Sequence, residues 1–154
     1  MKYFNNINKH EYIYIENINE PEDNCLQLVI EEARWSDTEQ TLVVAGAEIS
    51  DVRLLDVTDK NCVYEVIFDS YIGYSVRDES YVSPCEYDVF EGRIFCIYSK
   101  SHYLDYISHA SFACDDYAGP FVHYGFNCLN HVVDVVSTRP PKIKLISGSL
   151  LTSC

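Results

Sequence analysis

The chain has 154 residues, of which 47% are hydrophobic and 23% charged, and its formal net charge at pH 7 is −13. This length predicts a single domain, residues 1–154, that can bury a core, and the balanced composition excludes a disordered chain. The acidic balance argues against nucleic acid or an anionic membrane as a direct partner, because both are bound through basic patches.

Cysteine usage and the N-terminal segment indicate a cellular compartment. The seven cysteines are irregularly spaced, and no CxxC pair occurs among them. The first 17 residues, MKYFNNINKHEYIYIEN, lack the apolar core of a signal peptide, and the chain has no apolar run of about 18 residues. We therefore expect a reduced protein in the cytoplasm.

The first third of the chain predicts short strands separated by polar turns. Residues 3–10 are rich in Asn and are expected to form a loose lead-in, whereas the alternation in EYIYIE predicts a strand. The segment EPEDN is typical of a turn, and LQLVIEEARW predicts a second strand with alternate apolar residues on one face. Further short extended segments are predicted at residues 41–47 and 49–57.

Residues 62–77, CVYEVIFDSYIGYSVR, carry the clearest pattern in the chain. The even positions are nearly all apolar and the odd positions are mixed, which is typical of a strand with one face on a core. β-branched and aromatic residues favour a strand over a helix here. The pattern predicts one long central strand, with Gly73 at a bulge or bend.

The remaining segments complete the predicted fold. Residues 78–88 are expected to form an exposed connection, and the next strand, residues 89–98, is expected to pair antiparallel with the central strand because the link is too short for a crossover helix. Ser101 is a candidate N-cap for a helix that ends near Phe112. Strands are then predicted at residues 121–128, 131–137 and, at a sheet edge, 142–146. The expected class is α+β: a mostly antiparallel, strongly curved sheet with one main helix, about residues 101–112, packed on it.

Catalytic chemistry has limited sequence support. His102, Asp105 and His109 have the i, i+3, i+7 spacing that places three potential zinc ligands near one helix face, but HExxH and paired CxxC motifs are absent. No GxSxG, P-loop or GxGxxG motif occurs. Our main expectation is a protein without a bound metal or another cofactor. The alternative hypothesis is a small metal-dependent hydrolase that uses a C-terminal His/Cys/Asp cluster.

The same cluster includes a candidate nucleophile. Cys128 lies close in sequence to Asn127, His131 and Asp134, and a cysteine nucleophile requires a nearby histidine and an orienting acid or amide. A bend between two strands, with a buried cysteine, explains the same residues equally simply. We therefore expect no catalytic residue at this position.

Protein binding accounts for more of the composition. An acidic, Tyr-rich sheet with a carboxylate-rich loop can contact a basic enzyme, with carboxylates steering association and aromatic side chains anchoring the contact. The predicted partner-binding residues supply either charge or an aromatic anchor: Tyr71, Asp78, Glu79, Tyr81, Glu86, Tyr87, Asp88, Asp115, Asp116 and Tyr117.

Three segments carry a resemblance to a known class of protein: FDSYIGYSVRDESY at 68–81, FEGRIFCIYSKSHYLDYI at 90–107 and HYGFNCLNHVVDVVSTRPPKI at 123–143. Together, over residues 24–146, they resemble small bacterial immunity proteins encoded beside polymorphic or contact-dependent toxins. The resemblance implies a cytoplasmic inhibitor that neutralises a toxin domain, presumed basic here, by stoichiometric contact and without catalysis. It leaves the cognate toxin, the binding face and the oligomeric state open.

Overall fold

The computed structural model describes residues 1–56, 61–83, 85–114 and 116–147. Two helices occur in these ranges, α1 (Phe4–Ile7) and α2 (His102–Ala110), together with a single 3-10 turn at Glu79–Tyr81. The strands are β1 (Tyr12–Glu22), β2 (Cys25–Trp35), β3 (Gln40–Val44), β4 (Ala47–Val52), β5 (Leu55–Asp56), β6 (Val63–Phe68), β7 (Gly73–Asp78), β8 (Val89–Glu91), β9 (Phe95–Lys100), β10 (Val122–Asn127), β11 (His131–Ser137) and β12 (Lys142–Ser147).

The first sheet contains five strands in antiparallel ladders. Its order is β1–β2–β6–β12, with β5 paired to the end of β2. Alternate residues of β2, namely Leu26, Leu28 and Ile30, are buried, as the spacing predicts. β12 lies at the edge of this sheet, which confirms the predicted edge strand.

The second sheet is also antiparallel and has the order β7–β11–β10–β9–β8. Its central strands β10 and β11 agree closely with the strands predicted at residues 121–128 and 131–137. β3 and β4 form a separate two-stranded hairpin that is mostly exposed, and Gly46 in its turn has a positive φ of +85°.

The prediction of one long central strand at residues 62–77 is wrong. The chain leaves the first sheet after Phe68 and enters the second at Gly73, so β6 and β7 belong to different sheets. Asp69 and Ser70 in the connecting segment are exposed. Both strands direct apolar side chains toward the same core, so the alternation of apolar residues continues from β6 to β7. The pattern therefore does not reveal that the chain passes from one sheet to the other.

The predicted partner of the next strand is also wrong. Residues 89–98 form no single strand beside β6 or β7, because β8 and β9 fold back on each other as a hairpin and β9 pairs with β10. Gly92 lies in the hairpin turn with φ +96°, where an added Cβ would clash with the carbonyl oxygen of Phe95. That turn therefore requires glycine.

The inner faces of the two sheets contribute to one shared hydrophobic core. Phe68 of the first sheet contacts Tyr124 and Phe126 of the second, with ring centroids 5.6 Å and 6.4 Å apart. Phe126 also stacks on Phe95 at 4.5 Å. These aromatic contacts join the two layers.

The N-terminal segment is ordered against this core, which corrects the prediction of a loose lead-in. Ile7 of α1 is fully buried, and the ring of Phe4 lies edge-on to Phe95 at 5.4 Å. The Asn8 side chain accepts hydrogen bonds from the backbone N–H groups of Arg93, Ile94 and Phe95 and donates one to the Phe95 carbonyl. One polar side chain thus provides hydrogen-bond partners for the backbone groups at the start of β9.

α2 begins where the sequence predicts. The Ser101 side chain accepts a hydrogen bond from the Leu104 N–H at 3.0 Å and caps the helix. Ile107, the buried residue of α2, and Tyr103 lie against Gly73 of β7. α2 therefore covers the face of the second sheet that points away from the shared core.

The mostly antiparallel α+β class is confirmed, with far more strand than helix. The strands divide into two five-stranded sheets and a hairpin, so the single sheet expected from the sequence is replaced by two, and strong curvature stays a prediction. Within the described ranges, no helix has the length and apolar character needed to cross a bilayer.

Candidate functional site

The outer face of the second sheet carries polar side chains at positions where the strands are otherwise apolar. The ladder places Tyr98 opposite His123 and Ser75 opposite Asp134, and Arg77 follows Ser75 on the same face of β7. Residues two apart on a strand share a face, so these side chains meet beneath α2.

A continuous series of hydrogen bonds links Ser101, the cap of α2, to three of these side chains. Ser101 Oγ lies 2.8 Å from His123 Nδ1, and His123 Nε2 lies 2.9 Å from Asp134 Oδ1. Arg77 donates to the other oxygen, Asp134 Oδ2, from Nε at 3.1 Å and from Nη2 at 2.8 Å. Ser101, His123 and Asp134 are at most 2% exposed, and the bonds satisfy them in place of water.

The carboxylate at the centre of this network stays ionised. Burial alone would raise the pKa of Asp134, but the hydrogen bond from His123, the charge of Arg77 and its hydrogen bonds outweigh burial and hold that pKa below its usual value. The Arg77 side chain is 52% exposed and connects the buried carboxylate to solvent.

The order Ser101, His123, Asp134 has the residue types of a hydrolytic triad, but its geometry favours a structural role. Ser101 is 1% exposed, and its oxygen is already occupied by the Leu104 N–H as the cap of α2. Ser101, His123 and Asp134 line a cavity beside the start of α2, but a nucleophile has to reach its substrate, and the Ser101 side chain is almost fully buried. The network therefore fastens the N-terminus of α2 to the sheet.

Above the network lies a groove that we define by two adjoining cavities of about 560 Å³ and 460 Å³. The two cavities share a wall formed by Arg77, Ser83, Cys85, Asp88 and Tyr98. The groove thus runs between the second sheet and the segment that follows β7. Its combined size is sufficient for several side chains of a partner.

Four large aromatic side chains are exposed, two of them in the smaller cavity and two after the C-terminal end of α2. Tyr81 and Tyr106 line the smaller cavity and are 87% and 61% exposed. Phe112 and Tyr117 follow the C-terminal end of α2 and are 91% and 82% exposed. We call these four residues the aromatic rim. Such extensive exposure of aromatic rings is unusual for a surface that contacts water alone.

The structure places several predicted partner-binding residues at this groove. Glu79 and Asp88 line the larger cavity, and Tyr81 and Asp88 line the smaller one. The exposed members of the predicted set are Asp78, Glu79, Tyr81, Glu86, Asp116 and Tyr117. Asp115 lies outside the described residues.

Four of the predicted residues already have partners inside the chain. The Tyr71 hydroxyl donates a hydrogen bond to Glu20 at 2.8 Å, and Glu20 is distant in sequence from the acidic loop. Asp78 accepts a hydrogen bond from the Ser80 N–H. The Tyr87 hydroxyl donates to Asp105 at 2.6 Å, and Asp88 accepts from the His102 N–H at the start of α2. Tyr87 and Asp88 thus support α2 and are poorer candidates for a partner contact.

The C-terminal histidines, which the alternative hypothesis assigned to a metal site, make other contacts in the structure. The His102 ring stacks on Tyr87 at 4.3 Å, and the Tyr87 hydroxyl occupies Asp105. His109 Nδ1 donates to the Asp105 carbonyl at 2.6 Å, as one turn of helix permits. Within the described ranges, the three side chains whose ligand atoms converge as in a metal site are His10, Glu32 and Cys62 instead.

The candidate nucleophile Cys128 is unsuited to attack. Its side chain is 4% exposed, and burial raises the pKa of its thiol well above the ordinary value of 9.0. A buried thiol in apolar surroundings stays protonated and unreactive at neutral pH.

Sequence reasoning missed the buried network because His123 and Asp134 were treated separately. The signal was present in HVVDVVS, where one carboxylate interrupts a run of valines on a strand that is buried on both faces. A buried charge requires a partner, so a histidine on the neighbouring strand was the residue to look for.

No protein-family model, curated protein or solved structure matches this chain.

Proposed function

We propose that the protein is an immunity-type inhibitor that binds a cognate toxin effector domain stoichiometrically in the cytoplasm and blocks it. The observation that carries the proposal is the aromatic rim, of which Tyr81 and Tyr106 line a groove that also contains Glu79. The resemblance of residues 24–146 to immunity proteins supports the choice of partner class.

The aromatic rim provides the anchors for such a contact. Tyr81, Phe112 and Tyr117 are each more than 80% exposed, so each has nearly its whole ring available for burial. Tyrosine and other large aromatic side chains dominate the binding energy of protein interfaces, because they bury much area with few rotatable bonds. Each anchor that enters a pocket of the partner is expected to contribute about 2 kcal/mol or more.

Charge supports a basic partner. The chain has a net charge of −13, and Glu79 lines the groove while Asp78 and Glu86 are exposed in the same loop region. Acidic groups at the edge of an interface speed association with a basic surface and disfavour acidic partners. The same charge opposes contact with nucleic acid.

The state of the polar groups beneath the groove favours binding over catalysis. Ser101, His123 and Asp134 satisfy one another and support α2, and Asp88 caps that helix. Their rigid arrangement fits a preformed surface, which loses little conformational entropy when a partner binds.

The test is co-expression of the chain with the toxin effector domain encoded next to its gene, with growth rescue and the mass of the purified complex as readouts. We expect rescue and a one-to-one complex. Tyr81→Ala combined with Tyr117→Ala is expected to weaken binding by about 1000-fold, which corresponds to about 4 kcal/mol.

A matched control is available on the first sheet. Tyr14 and Trp35 are also exposed, at 42% and 47%, but they lie on β1 and β2. Tyr14→Ala combined with Trp35→Ala is expected to leave rescue intact. Equal loss in both double variants would show that the aromatic rim is not the interface, and failure of the wild-type chain to rescue would overturn the proposed function.

Charge reversal tests the acidic loop separately. Glu79→Lys combined with Glu86→Lys is expected to slow association and to reduce its dependence on salt, whereas Asp37→Lys combined with Glu48→Lys, at exposed positions near β3 and β4, is expected to change neither. Rescue and association rates that survive reversal at Glu79 and Glu86 would remove the loop from the interface.

A further inference from the structure

A second buried polar cluster lies in the first sheet and takes no part in the groove. It combines His10, which follows α1, Glu32 on β2 and Cys62 just before β6. The three residues are 2%, 3% and 0% exposed, and their potential ligand atoms lie within 4.8 Å of one another. Three segments distant in sequence thus direct a nitrogen, an oxygen and a sulfur atom toward one point.

The imidazole of His10 is the informative member of this cluster. Its Nε2 lies 2.7 Å from the Tyr64 hydroxyl, while its Nδ1 lies 3.0 Å from Glu32 Oε1. Despite that short distance, Nδ1 does not meet hydrogen-bond geometry with any described residue. With the proton on Nε2, the lone pair of Nδ1 points toward the carboxylate oxygen, whereas with the proton on Nδ1 the two groups pair directly. A metal ion would bind the first of these two tautomers.

We propose that His10 Nδ1, one carboxylate oxygen of Glu32 and Cys62 Sγ bind a single zinc ion. Zinc combines imidazole nitrogen, carboxylate oxygen and thiolate sulfur, with bonds of about 2.0 Å to the first two and about 2.3 Å to sulfur. Two bonds of about 2.0 Å to atoms 3.0 Å apart subtend roughly 97° at the metal, which is near the tetrahedral angle. The Cys62 thiol releases its proton to solvent as the zinc–sulfur bond forms.

Residues around the cluster orient the proposed ligands through hydrogen bonds, as residues next to the ligands of known metal sites do. Arg34 donates to both oxygens of Glu32, from Nε at 2.7 Å and from Nη2 at 2.9 Å, and the Cys62 N–H donates to Oε2 at 3.1 Å. The Tyr64 hydroxyl fixes the ring of His10. Groups that orient the ligands in this way set the tautomer and the basicity of each ligand.

A zinc ion here would tie the N-terminal segment to the β2–β6 ladder, which is a structural role independent of the groove.

The test uses the purified full chain, treated with a chelator and then dialysed against zinc or cobalt. We expect one equivalent of bound zinc, a higher melting temperature than in the metal-free chain, and a thiolate-to-cobalt charge-transfer band in the near ultraviolet. Cys62→Ser is expected to abolish the band. Cys128→Ser, at another buried cysteine, and Cys85→Ser, at an exposed one, are expected to retain it.

Two further results decide the question if Cys62→Ser fails to fold. Tyr64→Phe removes the hydroxyl that orients His10 and keeps every ligand, so it is expected to lower zinc affinity about 10-fold. A wild-type chain that retains no zinc and shows no cobalt–thiolate band overturns the proposal. Zinc that is retained equally by folded Cys62→Ser and His10→Gln variants overturns it as well, because the metal then lies on other residues.

Discussion

Tyr98 lies flat against His123, with ring centroids 4.0 Å apart and an angle of 13° between the planes. The ring of Tyr103 meets the same imidazole edge-on at 5.4 Å, and both imidazole nitrogens have hydrogen-bond partners. His123 is thus held on every side. The floor of the groove is therefore rigid, which is what a preformed binding surface requires.

The stacked ring makes Gly125 sensitive to substitution. A Cβ at Gly125 would lie 2.8 Å from Tyr98 Cε2, and the rigid ring moves only if it gives up its contact with His123. Gly125→Ala is expected to destabilise the fold by about 1–3 kcal/mol, measured by urea unfolding.

Gly73→Ala serves as the comparison for Gly125→Ala. Its Cβ would lie 2.7 Å from Ile107 Cδ1, the flexible end of an aliphatic side chain that can rotate away. Gly73→Ala is therefore expected to lower the free energy of unfolding by less than Gly125→Ala does, by below about 1 kcal/mol. Equal losses at the two glycines would show that the Tyr98 ring is free to move.

Removal of the charge at Asp134 tests the buried network. Asp134→Asn leaves His123 and Arg77 without their carboxylate, so we expect a loss of about 3 kcal/mol at pH 7. Asp116→Asn, at an exposed position, is the control and is expected to change stability by less than about 0.5 kcal/mol.

The same variant has a defined pH dependence. Because the native pKa of Asp134 is lowered from 3.8, its contribution to stability is fully present above that value and is lost as pH falls through the native pKa. The difference between wild type and Asp134→Asn is therefore expected to be constant from about pH 7 to pH 5 and to shrink below about pH 4. A difference that stays constant down to pH 2 would contradict a lowered pKa.

Phe68 joins the two sheets, and its truncation is expected to be costly. The side chain is 1% exposed and contacts the rings of Tyr124 and Phe126. Phe68→Ala is expected to lower the free energy of unfolding by about 3–5 kcal/mol, because it removes buried area and leaves a cavity. Phe112→Ala removes a ring that is 91% exposed, so its effect should be within about 0.5 kcal/mol.

Thiol reactivity follows burial. Cys85 and Cys114 are exposed, whereas Cys62, Cys96 and Cys128 are buried. Burial raises the pKa of Cys96 to about 11, so its reactive thiolate is scarce at neutral pH.

A thiol reagent such as Ellman's reagent is therefore expected to label Cys85 and Cys114 quickly and the three buried cysteines after denaturation. Peptide mass mapping identifies the labelled positions, in a chain with Cys154→Ser because Cys154 lies outside the described residues. Fast labelling of Cys96 or Cys128 in the native chain would contradict their burial.

Local patterns predicted much of the secondary structure. β2 follows from alternation, β10 and β11 follow from short, mostly apolar segments, and the start of α2 follows from Ser101 as a cap. The candidate surface was predicted in part, since Glu79, Tyr81 and Tyr117 are exposed, while Tyr71 and Tyr87 are engaged within the chain. Composition indicates that acids and tyrosines are present, but exposure depends on neighbours that are distant in sequence.

The sequence alone determined the antiparallel β character, the acidic surface and the alternation that fills the core, because these depend on composition and on a period of two residues. Only the tertiary structure decided that residues 62–77 divide between two sheets, and that His10 meets Glu32 and Cys62. Strand pairing and buried polar contacts join segments separated by tens of residues. No local pattern encodes which of them meet, since that choice depends on how the whole chain buries its apolar surface.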